Sequence, residues 1–279
     1  MKKGFIILTI FFLLVGSFCV IAQKNTVPAL FRVIQGDIVD FTIDNLDNIY
    51  IINTTGQVKK LNANGDSVAV YNDVKKYGKV TMIDASNPMK LLLYYEDFST
   101  IVSLDRIMNV RGTIDLRRHN ILRVRAIGLA YDNNIWIYDE VDNKLKKIDD
   151  EGRLLSETPD FRLLFNDPPS PQRIFDHDGF VYLYDTARGI FVFDYYGSLK
   201  NKIPVQGWKN VKILNKYIFG TKKDSLRPTE INLQRYEINT LITREQILPQ
   251  TLYAVFSINF TNKRLYALRN NILEIYTLQ

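Results

Sequence analysis

The chain of 279 residues has a formal net charge of +6, 46% hydrophobic residues, and 16 each of tyrosine and phenylalanine. This mild positive charge excludes the strongly basic composition of a dedicated nucleic-acid-binding protein. The two histidines and single cysteine are too few for a multi-histidine or thiolate metal centre, whereas the many aromatic residues favour half-buried β-strands.

The N-terminal segment has the organisation of a secretory signal peptide. Two lysines precede an apolar run that ends near Val15, and small residues then lead to a cleavage position after Ala22. We therefore predict a signal peptide at 1–22 and one domain at 23–279, with no membrane span once the signal is removed. An uncleaved membrane anchor stays open, because the apolar stretch is nearly long enough to cross a bilayer.

Cys19 leaves a lipoprotein as a third alternative for this segment. Phe18 argues against it, because lipoprotein signals resemble one another in placing a small residue before the lipidated cysteine. Removal of 1–22 would leave an exported chain without cysteine, so its stability would come from core burial rather than disulfides. This favours a bacterial protein that is periplasmic, extracellular or associated with the outer membrane.

A repeated strand pattern fills the rest of the chain. The stretches 46–71, 133–155 and 178–203 each contain an apolar strand, a polar turn, a second strand, a glycine turn and a third strand. Weaker copies occur at 89–116, 216–243 and 263–279. The residues that close the first strand of each copy recur about every 43 residues, a period typical of four-stranded propeller blades: Asn53, Glu96, Asp139, Asp185, Thr221 and Arg269.

Each copy also has an apolar segment just upstream, which we predict to be the innermost strand of its blade: 38–44, 80–85, 125–131, 172–176, 210–214 and 254–259. The sixth copy stops after three strands, while a spare apolar strand at 28–33 precedes the first blade. Pairing this strand with the last blade would remove an open edge. The sequence thus predicts an all-β, six-bladed β-propeller with four-stranded antiparallel blades, closed by its N-terminal strand.

Two stretches carry a resemblance to a known repeat type. "DNLDNIYIINTTGQVKKLNANGD" at 44–66 and "YDNNIWIYDEVDNKLKKIDDEG" at 131–152 resemble the blades of NHL/TolB-like six-bladed propellers. Blades two and five depart from this pattern, with "SNPMK" in place of the Asn turn and an enlarged loop "GTKKDSLRPTE". The resemblance implies the fold and leaves function open, because such propellers include scaffolds, receptors, lyases and lactonases.

An acidic stretch raises the question of a metal or acid–base site. The calcium-loop pattern is not met there, because no glycine stands at the required sixth position. A strand of roughly 16 Å separates the two turns that carry the carboxylates, so the two groups cannot share an ion. Turn chemistry alone explains these residues, which are Asp139, Glu140 and Asp142 on one turn and Asp149, Asp150 and Glu151 on the next.

A lactonase- or lyase-like enzyme would need carboxylates and amides that converge from several inner strands on a divalent metal. The inner strands offer four aspartates among mostly apolar neighbours: Asp40, Asp44, Asp84 and Asp176. This is a poor ligand set, so we assign no catalytic residue, no metal and no cofactor. The metal-dependent enzyme stays as an alternative.

The loops that lead from each outer strand to the next inner strand lie on one face of a propeller. We predict a basic, aromatic rim there, surrounded by acidic middle turns, that suits a protein partner or an anionic glycan. The alternative is that these are ordinary solvated loop charges. The rim residues are Lys75, Lys76, Tyr77, Arg117, Arg118, His119, Arg123, Arg162, Arg173, Trp208 and Lys209.

These patterns predict an exported, non-enzymatic propeller that acts as a protein-binding scaffold or accessory subunit in a Gram-negative cell envelope. A glycan- or peptide-binding sensor module is a further alternative to the enzyme. Three or more convergent carboxylate or amide oxygens in the channel would favour the enzyme, and an apolar channel with a charged rim would favour the scaffold.

Overall fold

The computed structural model describes residues 29–223, 226–227, 230–248, 252, 255, 257–261 and 263–277. The predicted signal segment 1–22 lies outside the described residues, so the assignment of that segment stays a prediction. Among the described residues, no helix combines the length and the apolar character that a membrane crossing requires.

The described residues form six four-stranded antiparallel sheets, the blades of a ring. Blade 1 contains β2 (Ile38–Ile43), β3 (Ile49–Asn53), β4 (Val58–Leu61) and β5 (Ser67–Tyr71). Blade 2 contains β6 (Met82–Asn87), β7 (Lys90–Tyr95), β8 (Thr100–Leu104) and β9 (Val110–Asp115). Blade 3 contains β10 (Val124–Leu129), β11 (Ile135–Asp139), β12 (Lys144–Ile148) and β13 (Leu154–Glu157).

The other blades repeat this order. Blade 4 contains β14 (Arg173–His177), β15 (Phe180–Asp185), β16 (Gly189–Asp194) and β17 (Leu199–Ile203). Blade 5 contains β18 (Lys209–Leu214), β19 (Tyr217–Lys223), β20 (Ile231–Glu237) and β21 (Ile242–Ile247). Blade 6 contains β22 (Ser257–Phe260), β23 (Arg264–Arg269), β24 (Ile272–Thr277) and, from the other end of the chain, β1 (Ala29–Ile34).

The N-terminal strand closes the ring, as the sequence predicts. β1 runs antiparallel to β24, with Ala29 opposite Thr277 and Ile34 opposite Leu273. The inner strands agree with the predicted segments to within a few residues; of 254–259, the structure describes 255 and 257–259. The chain is therefore a six-bladed β-propeller.

Apolar side chains that alternate along each strand pack the seams between neighbouring blades. In β7, Leu91 and Leu93 face blade 1, whereas Leu92 and Tyr94 face blade 3. Because both faces of the blade are covered, this strand is almost continuously apolar instead of alternating with polar residues. Six such clusters, one for each pair of neighbouring blades, make up the core.

A recurring five-residue turn connects the third and fourth strands of a blade. In blade 3, Asp149 Oδ1 accepts hydrogen bonds from the backbone N–H groups of Glu151 (3.0 Å) and Arg153 (2.8 Å). Gly152 adopts a left-handed φ of 85° there, which glycine reaches without steric cost. Asp149 therefore shapes a turn, as predicted for this part of the acidic stretch.

Short helical segments occupy the loops on one face of the ring. They are α1 (Val74–Tyr77), α2 (Phe161–Leu164) and two single 3₁₀ turns at Glu96–Phe98 and Leu116–His119. α1 and the second 3₁₀ turn lie in the loops that enter the inner strands of blades 2 and 3. They carry much of the predicted rim.

Candidate functional site

A groove of about 500 Å³ opens on this face, beside blades 2 and 3. The loop from blade 1, the middle turn and outer strand of blade 2, and the outer turn of blade 3 form its walls. Five predicted rim residues line it: Lys76, Tyr77, Arg117, Arg118 and His119. The structure therefore brings one sector of the predicted rim together around a concave surface.

The two arginines of the groove share one carboxylate. The Nε atoms of Arg117 and Arg118 lie 3.4 and 3.5 Å from the two oxygens of Asp115. Both guanidinium groups are strongly exposed, so these ion pairs contribute little to stability. Since one acid faces two cations, positive charge is left over to attract an anionic group of a partner.

Aromatic side chains stand beside the cations of the groove. The guanidinium of Arg117 lies 5.9 Å from the ring centroid of Phe98, which is 43% exposed. The ammonium of Lys76 lies 4.8 Å from the ring of Tyr77, and this contact raises the lysine pKa. Half-buried His119 packs on the outer turn of blade 3, where a side chain at Gly152 would collide with it.

The structure places two predicted rim aromatics inside the blade seams. Tyr77 is 9% exposed and packs against Tyr95, with ring centroids 5.4 Å apart. Trp208 is 4% exposed, and its carbonyl accepts a hydrogen bond from the Tyr184 hydroxyl. The rim surface is therefore mainly cationic, and Phe98 is an exposed aromatic that sequence reasoning missed because it stands in an acidic turn.

The other predicted cations are spread around the same face. Arg123 faces Glu140 at 3.8 Å, and Arg162 pairs with Asp160 at 2.6 Å. Outside the groove lie three more exposed cations: Lys75 on α1, Arg173 at the start of β14 and Lys209 at the start of β18. Within the described residues these three have no ion-pair partner.

Asp40 and Arg173 belong to opposite blades of the ring, blades 1 and 4, and lie near the channel mouth. Burial raises the pKa of Asp40, although the N–H of Phe41 and the charge of Arg173 act in the opposite direction. The residue nevertheless remains exposed to solvent. Of the four predicted channel aspartates, it alone makes no hydrogen bond beyond its neighbour Phe41, as far as the described residues go.

The carboxylates of Asp44 and Asp84 accept hydrogen bonds that stabilise the fold. Asp44 accepts from the Asn48 N–H at 2.9 Å, the Asn48 side chain at 2.7 Å and the Tyr50 hydroxyl at 3.0 Å. Asp84 accepts from the backbone N–H of Leu129, in the neighbouring blade, at 2.7 Å. These carboxylates hold turns and blades in place.

Asp176 joins blades 3 and 4 in the same way. Its Oδ2 accepts from the Trp136 indole at 2.9 Å and the Tyr131 backbone N–H at 3.2 Å, and its Oδ1 accepts from the Tyr195 hydroxyl at 2.6 Å. In the part of the chain that the structure describes, no three His, Asp or Glu side chains form a group able to hold a metal ion.

Lys212 lies on β18, the inner strand of blade 5, and its amino group is buried. No hydrogen-bond partner reaches its Nζ among the described residues. Burial lowers the pKa of this lysine to about 8, although the charges of Asp44 and Asp47 counteract part of the effect. No sequence pattern marks this group, because "NVKIL" has the pattern of an ordinary strand.

The first carboxylate group of the acidic stretch forms an internal ion pair. Lys146 Nζ lies 2.7 Å from Asp139, which is 1% exposed, and also contacts Asp142. Arg188 pairs similarly with Asp185 in blade 4, at 2.9 Å, and also contacts Asp167. The predicted acidic ring around the rim is thus largely neutralised by cations of its own blades.

Comparisons with known proteins agree with the fold. No protein family matches the sequence, and no curated protein matches it significantly. Among solved structures, a streptogramin B lyase is 18% identical, with 86% of this chain and 78% of that one covered and a TM-score of 0.57.

Two further structures show the same likeness. The β-propeller domain of Cps50 (Swd1) from Myceliophteria thermophila is 10% identical, with 90% of this chain and all of that one covered and a TM-score of 0.56. A Bacteroides fragilis NCTC 9343 protein described as exported is 8% identical, with 91% and 94% covered and a TM-score of 0.55. At these identities the likeness concerns the fold alone.

Proposed function

We propose that this chain is an exported, non-enzymatic β-propeller that acts as a protein-binding scaffold or accessory subunit in a bacterial cell envelope. Its repeats would be of the NHL/TolB-like type. The single observation that carries the proposal is the cationic groove, where Lys76, Arg117 and Arg118 surround a concave surface of about 500 Å³. The signal-like segment 1–22 supports export, and the Bacteroides protein of similar fold that is described as exported is compatible with it.

The chemistry of the groove suits a protein partner with an acidic, partly aromatic contact surface. Arginine offers a planar set of donors that matches carboxylates, and it is enriched at the centres of protein interfaces. Phe98 adds apolar contact area beside Arg117. Long-range attraction by the rim cations would speed association and make it sensitive to salt.

The experiment compares two triple charge reversals in the full chain, expressed with its own leader in a Gram-negative host. Lys76→Glu, Arg117→Glu and Arg118→Glu alter the groove. Matched reversals at Lys59, Lys200 and Arg244, which are exposed on strands remote from it, change the net charge equally. Envelope proteins are crosslinked in the cell, purified with the propeller and quantified by mass spectrometry.

We expect one or a few partners to be enriched with the wild type and with the remote reversals. Loss of two or three central cations should weaken their recovery by about tenfold or more, and added salt should act in the same direction on the wild type. Thermal melting of the purified variants verifies that they fold. Equal recovery with both triple variants would overturn the proposal.

A further inference from the structure

A stack of aromatic side chains lies at the opposite end of the inner strands from the cationic groove. Tyr131 follows the end of β10, whereas the groove loops enter inner strands at their beginnings. The ring of Tyr131 stacks on that of Tyr195, with centroids 4.8 Å apart and planes 11° apart. Tyr131 is nevertheless 67% exposed, so much of its ring remains open to solvent.

The stack is fixed by polar contacts from two blades. Asp176 holds the Tyr195 hydroxyl and the backbone of Tyr131, and Trp136 lies behind Tyr195 with ring centroids 6.3 Å apart. The ammonium of Lys147 lies 5.1, 5.1 and 5.6 Å from the centroids of Tyr131, Trp136 and Tyr195. A ring held this firmly loses little conformational entropy when a ligand covers it.

The two lysines beside the stack are paired with carboxylates, whereas Asp176 accepts only from neutral donors among the described residues. Lys147 forms an ion pair with Asp132 at 2.6 Å, and Lys90, which also donates to the Asn133 carbonyl, pairs with Asp150 at 2.5 Å. The side-chain nitrogen of Asn133 has no acceptor in the described part of the chain, while its oxygen accepts from Asn87. The surroundings of Tyr131 therefore offer hydrogen bonding together with the negative charge of Asp176, which disfavours an anionic ligand.

We propose that the open face of Tyr131 is a binding platform for a pyranose ring of an uncharged glycan. The C–H groups on one side of a pyranose carry slight positive charge and match the negative face of an aromatic ring. The amide of Asn133 can donate to a ring hydroxyl, and the negative charge of Asp176 disfavours an anionic sugar. The geometry favours a sugar over a protein contact because it presents one flat, immobilised ring among polar groups instead of an apolar pocket.

This platform is independent of the proposed protein-binding groove, so each can fail without the other. The full purified chain is titrated by calorimetry with cellohexaose, maltohexaose and chitohexaose, each at up to millimolar concentration. The variants are Tyr131→Ala, Tyr131→Phe, and the groove reversal Arg117→Glu with Arg118→Glu. Near-ultraviolet circular dichroism verifies that each variant retains its aromatic packing.

We expect saturable binding of at least one hexasaccharide, with an affinity that does not change with salt concentration. Tyr131→Ala should weaken it about tenfold, because stacking supplies most of the contact, whereas Tyr131→Phe and the groove variant should bind like the wild type. Absence of saturation with all three sugars would overturn the proposal, as would equal affinity of the alanine variant. The crosslinking experiment supplies a further test. If Tyr131→Ala abolishes recovery of an envelope protein but leaves sugar binding unchanged, the proposal is wrong and Tyr131 belongs to a protein-docking surface.

Discussion

Two charged side chains near the centre of the ring differ in their hydrogen bonding. One lies at the seam between blades 3 and 4, and the other lies on the inner strand of blade 5. Asp176 accepts three hydrogen bonds from the two blades that it joins. Lys212 has its amino group buried with no hydrogen-bond partner among the described residues. A charge near the centre of this ring therefore stabilises the fold only where neighbouring blades supply its partners, because burial alone disfavours the charged form.

The largest expected effect is that of Asp176→Ala. The substitution leaves the Trp136 indole and the Tyr195 hydroxyl without their acceptor, and each unsatisfied buried donor costs about 1–3 kcal/mol. We expect the free energy of unfolding to fall by about 3–5 kcal/mol, measured by urea denaturation. Asp40→Ala is the matched control and should change stability by less than about 1 kcal/mol. Equal losses of unfolding free energy for the two variants would contradict a structural role that is specific to Asp176.

Lys212→Met should stabilise the protein, by up to about 3 kcal/mol near pH 7. The lysine pKa is about 8 in the folded chain, below its ordinary value of 10.5. Between these two pH values the unfolded chain binds more protons, so the stability of the wild type rises with pH, and this rise should be missing from the variant. The advantage of the variant should be constant below pH 8 and shrink above it.

Denaturation curves for both proteins between neutral pH and pH 9.5 measure this difference. The range stops there because tyrosines of the unfolded chain ionise near the ordinary pKa of 10, whereas burial raises the pKa of tyrosines such as Tyr138 in the folded chain. Above pH 9.5 this difference would add a second pH dependence to the stability of both proteins. A variant that is less stable than the wild type at pH 7 would show that Lys212 has a stabilising partner.

Tyr195→Phe should have the smallest effect. It removes one hydrogen bond to Asp176 but keeps the ring that stacks on Tyr131, so we expect a loss of about 1–2 kcal/mol. In the Asp176→Ala background the same change should cost much less, because the acceptor is already gone. A double-mutant cycle measures this coupling. Additive losses would mean that the hydroxyl does not depend on the carboxylate.

Much of the fold can be predicted from the sequence because the residues that form the turns recur at a fixed spacing in each repeat. Asp149 and Gly152 define one connection, and their spacing recurs at Asn62 and Gly65. The spare strand at the N-terminus and the strand missing from the last blade then indicate how the ring closes. These signals are local, so one sequence is enough to read them.

The site is less predictable because it depends on contacts between distant residues. Tyr77 and Trp208 stand in polar loops, yet their side chains turn into the blade seams. Asp176 looks like an end-of-strand aspartate, and its partners Trp136 and Tyr195 belong to turns and strands far along the chain. No local pattern reveals which way such side chains point, since neighbouring blades decide it.

Ring closure by β1 has a consequence for the order of folding. Its partner β24 is the last strand among the described residues, with Ala29 opposite Thr277. During synthesis or export, β1 must therefore wait until nearly every other strand has been made. Such long-range pairing is slow, and in the interval both β1 and the edge of blade 6 are open to pairing with other chains. A chaperone that shields an extended N-terminal segment would protect the chain during this period without touching the finished ring.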